Sequence, residues 1–350
     1  MTGTPIPFAA ARATQAQHLE TSIASVTAAV SALGRAGRLS LPGPVFLGIG
    51  ASLAAACAPV WVLRSRGIHS WRLSAGDYPL PFPASSHPVV AVSQSGRSAE
   101  TLAVLESLDQ RLRYAVVNQV PSPIADAATT VLGLGNLPDS YASTTGYTAT
   151  VAALGILADA WGGGAIDPGW PELPAAVTAA EQCLTDQVSE LASVFDGVSS
   201  ADFIGAGPSV GSAEAAALLF REVARVPATG MGTRQYLHGS MESAGDTVHV
   251  LFGGSREAEV AATLAAAGHR AVLITAGDAD EVPGPELPDG AARRGQLATV
   301  RLPRRPAAQQ AILEVLVAQI LVAAVAERRA VDIEEFVFHN SDTKVSASSS

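Results

Sequence analysis

The sequence predicts an α/β protein built from two successive parallel sheets, each covered by helices on both faces, and three observations carry that reading. Short β-branched runs alternate with longer helical patterns along the whole chain, the order expected of strands joined by crossover helices. A strand-to-helix turn occurs twice: Phe46-Leu47-Gly48-Ile49-Gly50-Ala51-Ser52 and Phe203-Ile204-Gly205-Ala206-Gly207-Pro208-Ser209 are identical at four of seven positions and lie 157 residues apart. Farther on, Arg97, Ala99 and Glu100 match Arg256, Ala258 and Glu259 at an offset of 159. A Phe-x-Gly-x-Gly pattern is common to strand-to-helix turns in general. A nearly constant offset through strand, turn and helix points instead to duplication.

Taken in order, residues 8 to 35 read as a leading helix, Val45 to Gly48 as a strand, Ser52 to Arg66 as a helix and Val89 to Ser93 as the next strand. A helix from Ser98, a strand Tyr114 to Val117, a short strand near Val131 and a long helix from Thr144 to Trp161 complete the first half. The glycine- and proline-rich segment 162–171 is the best linker candidate. The second half opens with a helix over about 172–196 and continues with strand Phe203 to Gly205, helix Ser209 to Arg225 and strand Val248 to Phe252. Helix Glu257 to Ala266, strands Ala271 to Thr275 and Ala298 to Arg301, and a final helix Ala307 to Arg328 close it. The expected division is an N-terminal helical segment 1–35, a first domain 36–165, a second domain 172–330 and a tail 331–350.

The most informative stretch runs from Val89 to Thr101. An apolar run with the β-branched bias of a buried parallel strand ends in Ser93-Gln94-Ser95-Gly96-Arg97-Ser98, and a helical pattern with an acidic first turn follows at once. Free backbone N–H groups at a helix start, three hydroxyls and a glycine that lets backbone approach a ligand make a place for an anion such as phosphate. No P-loop lysine follows, so a nucleoside triphosphate is not the expected guest. In the second copy the loop has become Phe252-Gly253-Gly254, so one phosphate loop per chain is expected.

Composition narrows the partners. The 350 residues are 48% hydrophobic and 15% charged, enough for one large core or two medium ones. The net charge of −10 and the lack of a basic stripe argue against nucleic acid. The N-terminus lacks the basic and apolar regions of a secretory leader. The longest apolar segment, Ala311 to Ala326, is interrupted by Glu314 and Gln319 and is expected to be a buried helix and not a membrane span. Cys57 and Cys183 are far apart in helical patterns, which supports neither a disulfide framework nor a thiolate metal site. A cytoplasmic protein needing no metal or other cofactor is the expectation.

Several motifs together resemble the sugar isomerase (SIS) family. They are Gly48-Ile49-Gly50-Ala51-Ser52, the serine loop 93–98, Ala142-Ser143-Thr144, Phe220-Arg221-Glu222, Tyr236-Leu237-His238-Gly239 and Thr343-Lys344-Val345. The resemblance covers about residues 20 to 346 and is nearest to tandem-SIS proteins, namely the isomerase domain of glucosamine-6-phosphate synthase and the aminosugar-phosphate isomerases and deaminases. It implies two tandem SIS domains, each a flavodoxin-like parallel sheet with helices on both faces.

The resemblance also implies roles. It puts a sugar phosphate on Ser93, Gln94, Ser95 and Ser98, with Ser52 at the first turn and Ser143 near the sugar hydroxyls. Each serine has an ordinary alternative as a helix cap or a local turn. Glu222 matches the base that carries a proton between C1 and C2 of the open-chain sugar, work that suits a carboxylate whose pKa is raised in a pocket. Its ordinary alternative is a solvated carboxylate paired with Arg221 or Arg225. His238 matches the histidine that opens the sugar ring, a task for an imidazole titrating near neutrality. In relatives that histidine comes from a neighbouring subunit, so a homodimer with shared sites is implied. Lys344 matches a tail lysine that forms a Schiff base with the ketose or holds its open form; a lone lysine near a terminus is otherwise a solvated charge. His339 and Asn340 accompany it on the tail.

Departures matter too. An additional pocket lysine of the synthase, three positions before the base, falls on Leu219, and Arg97 replaces an acidic residue of its loop. The 350 residues include no glutaminase domain, so glutamine-dependent amination is not expected of this chain. The expected activity is isomerisation or deamination of a hexose or hexosamine phosphate through ring opening and an enediol or imine. A fructosamine-phosphate deglycase and a non-catalytic sugar-phosphate sensor are the alternatives.

Overall fold

The structure, a computed structural model, describes residues 5–77, 79–185, 187–277, 297–338, 340 and 342–346. It divides into two compact units, 1–175 together with 334–350, and 176–333.

The first unit opens with α1 (Phe8–Ala13) and α2 (Gln15–Arg35). It continues with β1 (Val45–Gly48), α3 (Ala51–Ala55), α4 (Cys57–Ser65), β2 (Trp71–Ser74), β3 (Val89–Ser93) and α5 (Ala99–Glu106). Strand β4 (Arg113–Val117), α6 (Pro123–Ala127), β5 (Thr130–Gly133) and α7 (Thr145–Ala160) follow. The strands are all parallel, in the order β2-β1-β3-β4-β5. Central β1 and β3 are buried along their full lengths, which is why they read as continuous apolar runs. Edge strand β5 alternates buried and exposed residues. Helix α2 buries Leu19, Ile23, Val26 and Val30, a stripe at helical spacing, and packs on α7. Helix α7 is buried almost all round.

The second unit holds α8 (Leu173–Thr185), which starts at the boundary, α9 (Val188–Ser193), β6 (Ser200–Gly205), α10 (Ser209–Glu222), β7 (Ala228–Gly232) and α11 (Thr233–Leu237). Strand β8 (Thr247–Phe252), α12 (Ser255–Ala266), β9 (Arg270–Ala276), β10 (Leu297–Leu302) and α13 (Ala307–Arg328) complete it. Its sheet is also all parallel, in the order β10-β9-β8-β6-β7. Numbered within each unit, both orders are 2-1-3-4-5, so the repeat seen in residues is a repeat of topology.

Several elements differ from expectation. The leading helix is interrupted at Thr14 and the helix over 52–66 at Ala56; the helical stretch over 172–196 is likewise broken into pieces. The helix expected to reach Arg225 ends at Glu222, and Arg225 has φ 52°. Strands β2 and β7 are additions, both at sheet edges. The segment 162–171 is held on the first unit: Trp170 is buried and its indole N–H donates to Asp159 at 2.8 Å. The apolar segment 311–326 lies within the 22-residue α13, which is long and apolar enough to cross a membrane. Its most apolar window is 83% buried, and it packs on α10 and α9.

Candidate functional site

In the first unit, the turns after β1 and β3 leave the sheet at the carboxyl ends of adjacent strands. Between them the chain's direction across the sheet reverses, the position where open α/β sheets bind ligands. The loop after β3 is internally braced. Ser93, buried, accepts the Gly96 N–H at 3.1 Å and shares a hydrogen bond with Ser98 Oγ at 3.0 Å. Ser95 Oγ accepts the Arg97 N–H at 3.3 Å. Ser98 stands at the N-cap of α5, yet its hydroxyl faces Ser93 and does not cap the helix. Gly96 has φ +64°, and a Cβ there would lie 2.0 Å from Ser122 Oγ, so only glycine fits.

The C-terminal tail lies across this loop. Lys344 forms an antiparallel bridge with Ser98. The Ala99 N–H donates to Thr343 O at 3.2 Å, and the Val345 N–H to Arg97 O at 3.0 Å. Arg97 Nε also donates to Val345 O, at 2.8 Å. Arg97 therefore fastens the tail, a role that its replacement of an acidic residue did not foretell. The tail is anchored again upstream, where Glu334 accepts the Phe8 N–H at 3.2 Å and Phe336 packs on Tyr141. Lys344 is exposed, and His339 lies outside the described residues.

Ser143 is placed by a residue that sequence reasoning missed. Buried Asp139 accepts the Ser143 hydroxyl at 2.6 Å, the Thr144 hydroxyl at 2.9 Å, and the N–H groups of Ser140, Thr144 and Gly146 at 3.0 Å each. A Cβ on Gly146 would meet Asp139 Oδ2 at 2.5 Å, Gln94 Cγ at 3.0 Å and Ser143 Oγ at 3.2 Å. Gln94 and Ser143 thus converge at the start of α7. Ser52 is the second residue of α3; the N-cap there is Gly50.

In the second unit, Glu222 ends α10, and burial pushes its carboxyl up to about 7. Its expected alternative partners are otherwise engaged: Arg221 donates to Ala228 O at 2.5 Å and Arg225 to Asp332 O at 3.2 Å. Leu219 is buried. His238, expected in a loop, is the C-cap of the short helix α11 and is exposed. That helix is held down by Tyr236, whose hydroxyl is hydrogen-bonded to Nδ1 of His249 at 3.1 Å, both residues being fully buried. Burial lowers His249 to about 4, so it is neutral near pH 7. Ser209, the repeat partner of Ser52, donates to buried Glu314 at 2.8 Å, as does Ser212 at 2.5 Å. Burial raises the Glu314 carboxyl to about 7. No cluster of three or more potential metal ligands occurs among the described residues.

Two parallel sheets of one topology, with a serine loop at the first switch point, are the fold that the motifs' resemblance to the sugar isomerase family implies. In sequence the chain is 31% identical over 175 residues to the isomerizing glutamine–fructose-6-phosphate aminotransferase of Oceanobacillus iheyensis. That match covers 47% of this chain and 29% of the enzyme, so the chain spans under a third of the relative. In structure it superposes on the C-terminal domain of the glucosamine-fructose-6-phosphate aminotransferase of Francisella tularensis with a TM-score of 0.80 and 15% identity, covering 94% of this chain and 97% of that one. The tagatose-6-phosphate ketose/aldose isomerase of Escherichia coli gives 0.75 and 18%, covering 97% and 100%. No family model matches the chain. The resemblance carried by the motifs holds for the fold along nearly the whole chain.

Proposed function

We propose that the chain is a phosphosugar isomerase acting on a hexose or hexosamine phosphate of the fructose 6-phosphate and glucosamine 6-phosphate kind. The observation that carries this reading is the bridge between Ser98 and Lys344. It sets the backbone of Lys344 in register with the serine loop, which supports a site in which the tail's amine and the anion cradle act together. The phosphate takes donors from Ser95, Ser98 and the backbone at the start of α5, while Gln94 and Ser143 meet the sugar hydroxyls. Ser52 contributes from the turn after β1.

Isomerisation then needs three further acts. His238 opens the ring by accepting the anomeric hydroxyl proton and supplying one to the ring oxygen, and in this reading it comes from the second subunit of a homodimer. Lys344 holds the open-chain carbonyl. Glu222 removes the proton from one of C1 and C2 and returns it to the other through an enediol, a transfer for which a carboxyl titrating near 7 is suited. With an amino sugar the same proton transfer yields an imine whose hydrolysis releases ammonia.

The test is turnover of fructose 6-phosphate and glucosamine 6-phosphate, followed by sugar interconversion and ammonia release. Glu222→Gln should lower kcat by about a hundredfold or more and leave phosphosugar binding intact. Buried Leu219 at the position of the synthase's lysine favours a second reading, a sensor that binds without turnover. Wild-type protein that binds these sugars and converts none of them would establish that reading instead.

A further inference from the structure

The second unit contains a cleft of about 460 Å³ at the carboxyl ends of β6, β7 and β8. Its size falls in the range of small-molecule sites, roughly 300–1,000 Å³. It sits where the order of this sheet reverses between β6 and β8, the counterpart of the serine-loop position in the first unit. Gly205, Gly207, Gly232 and Gly254 line it, so a ligand meets backbone and not side chain over much of the surface.

The polar lining is unlike that of the first unit. Along the repeat, Arg97-Ser98-Ala99-Glu100 corresponds to Arg256-Glu257-Ala258-Glu259, which puts a carboxylate where the first copy has the Ser98 hydroxyl. Glu257 is 4% exposed; one carboxylate oxygen accepts the Thr233 hydroxyl at 2.7 Å and the other the Gly254 N–H at 3.1 Å. These donors are of the kind that would cradle a phosphate, so the carboxylate occupies the cradle and repels an anion from it. Two guanidiniums, Arg234 and Arg256, also line the cleft, and both side chains are exposed. Arg256 pairs with Glu259 at 2.7 Å, but both partners are half exposed, and a pair of that kind is held weakly enough to exchange for a phosphate.

We propose that this cleft is a second ligand site, taking a phosphorylated polyol in the reverse orientation: phosphate on Arg234 and Arg256, hydroxyls toward Glu257 and Thr233. It is built wholly within the second unit, so it fills independently of the serine loop and of the catalytic reading above.

The experiment is calorimetric titration of the full chain with fructose 6-phosphate, with unphosphorylated fructose as control. The expected result is two sugars per chain for the wild type and none for fructose. The double variant Arg234→Ala with Arg256→Ala should weaken one of the two sites at least tenfold, the equivalent of one lost charge-assisted contact, and leave the other unchanged. Ser95→Ala should do the converse. Both arginines are exposed, so folding is preserved, and unchanged circular dichroism together with the surviving site verifies it. One sugar per chain, abolished by Ser95→Ala and untouched by the arginine substitutions, would overturn the second site alone. One site lost only with the arginines would overturn the serine-loop reading and keep this one, and an absence of wild-type binding would overturn both.

Discussion

Replacing Gly96 by alanine should unseat the serine loop. The backbone there has φ +64°, and an added Cβ would sit 2.0 Å from Ser122 Oγ and 2.5 Å from Ser122 Cβ. Holding an L-residue in the left-handed region costs about 1–2 kcal/mol, and forcing atoms into a filled space costs about 1–3 kcal/mol more. The sum, about 2–5 kcal/mol, is a large part of a typical domain's stability of about 5–15 kcal/mol. Ser122 cannot turn aside freely, because it is 6% exposed and its hydroxyl caps α6 by accepting the Ala125 N–H. The two contributions separate in a double-mutant cycle. Ser122→Gly in the Gly96→Ala background removes the clash but not the dihedral cost, and should recover more than about 1 kcal/mol beyond additivity. Urea denaturation of the four proteins measures the coupling, and titration with fructose 6-phosphate reports on the loop. Additive stabilities, or a Gly96→Ala protein as stable and as tightly binding as the wild type, would refute the account of this loop.

Four other outcomes follow from the same geometry. Asp139→Ala removes the acceptor for two hydroxyls and three N–H groups, and should cost about 3 kcal/mol or more in denaturation and weaken sugar binding through Ser143. Arg97→Ala removes the side-chain hold on Val345 and should speed hydrogen exchange at 343–346 while lowering turnover, with the Glu222 pH profile unchanged. Folding raises the Glu314 carboxyl from 4.5 to about 7, so across that window the folded state binds more protons than the unfolded one and stability falls as pH rises. Glu314→Gln should flatten the fall, which for one group is about 3 kcal/mol; an unchanged slope counts against the buried carboxyl. Because the base must be ionised, kcat/KM should rise with pH and level off above about 7, whereas a flat profile from pH 5 to 8 would exclude Glu222 as the base.

The parts of the fold that were legible are those whose burial writes a pattern. The central strands β1, β3 and β8 are buried end to end and read as apolar runs. The repeat was legible because both copies keep the glycines of the turn after the first strand. Strands β2 and β7 were not legible: Trp71-Arg72-Leu73-Ser74 is a short, half-exposed edge, and Ala228-Thr229-Gly230-Met231-Gly232 carries two glycines that disfavour a strand when read alone. The serine loop was readable as a crowd of donors after a strand. Asp139 was not, since a single aspartate in a polar loop looks like any turn residue until the groups it gathers are seen. Glu257 and Glu314 were equally hidden, because burial of a glutamate depends on what the fold folds over it. The Tyr236–His249 pair was hidden too, because its members are 13 residues apart, one on a helix and one on β8, and are joined only by tertiary structure.

The central claim is that this chain moves a proton between neighbouring carbons of a phosphosugar, and hydrogen exchange in deuterated water tests it most directly. Fructose 6-phosphate incubated with the wild-type chain in D2O and followed by NMR should gain deuterium at C1, with glucose-type product labelled at C2, or glucosamine-type product when ammonia is added, and Glu222→Gln should suppress both. Tight binding of the sugar with no deuterium incorporation at either carbon would contradict the account and leave a protein that binds phosphosugars without transforming them.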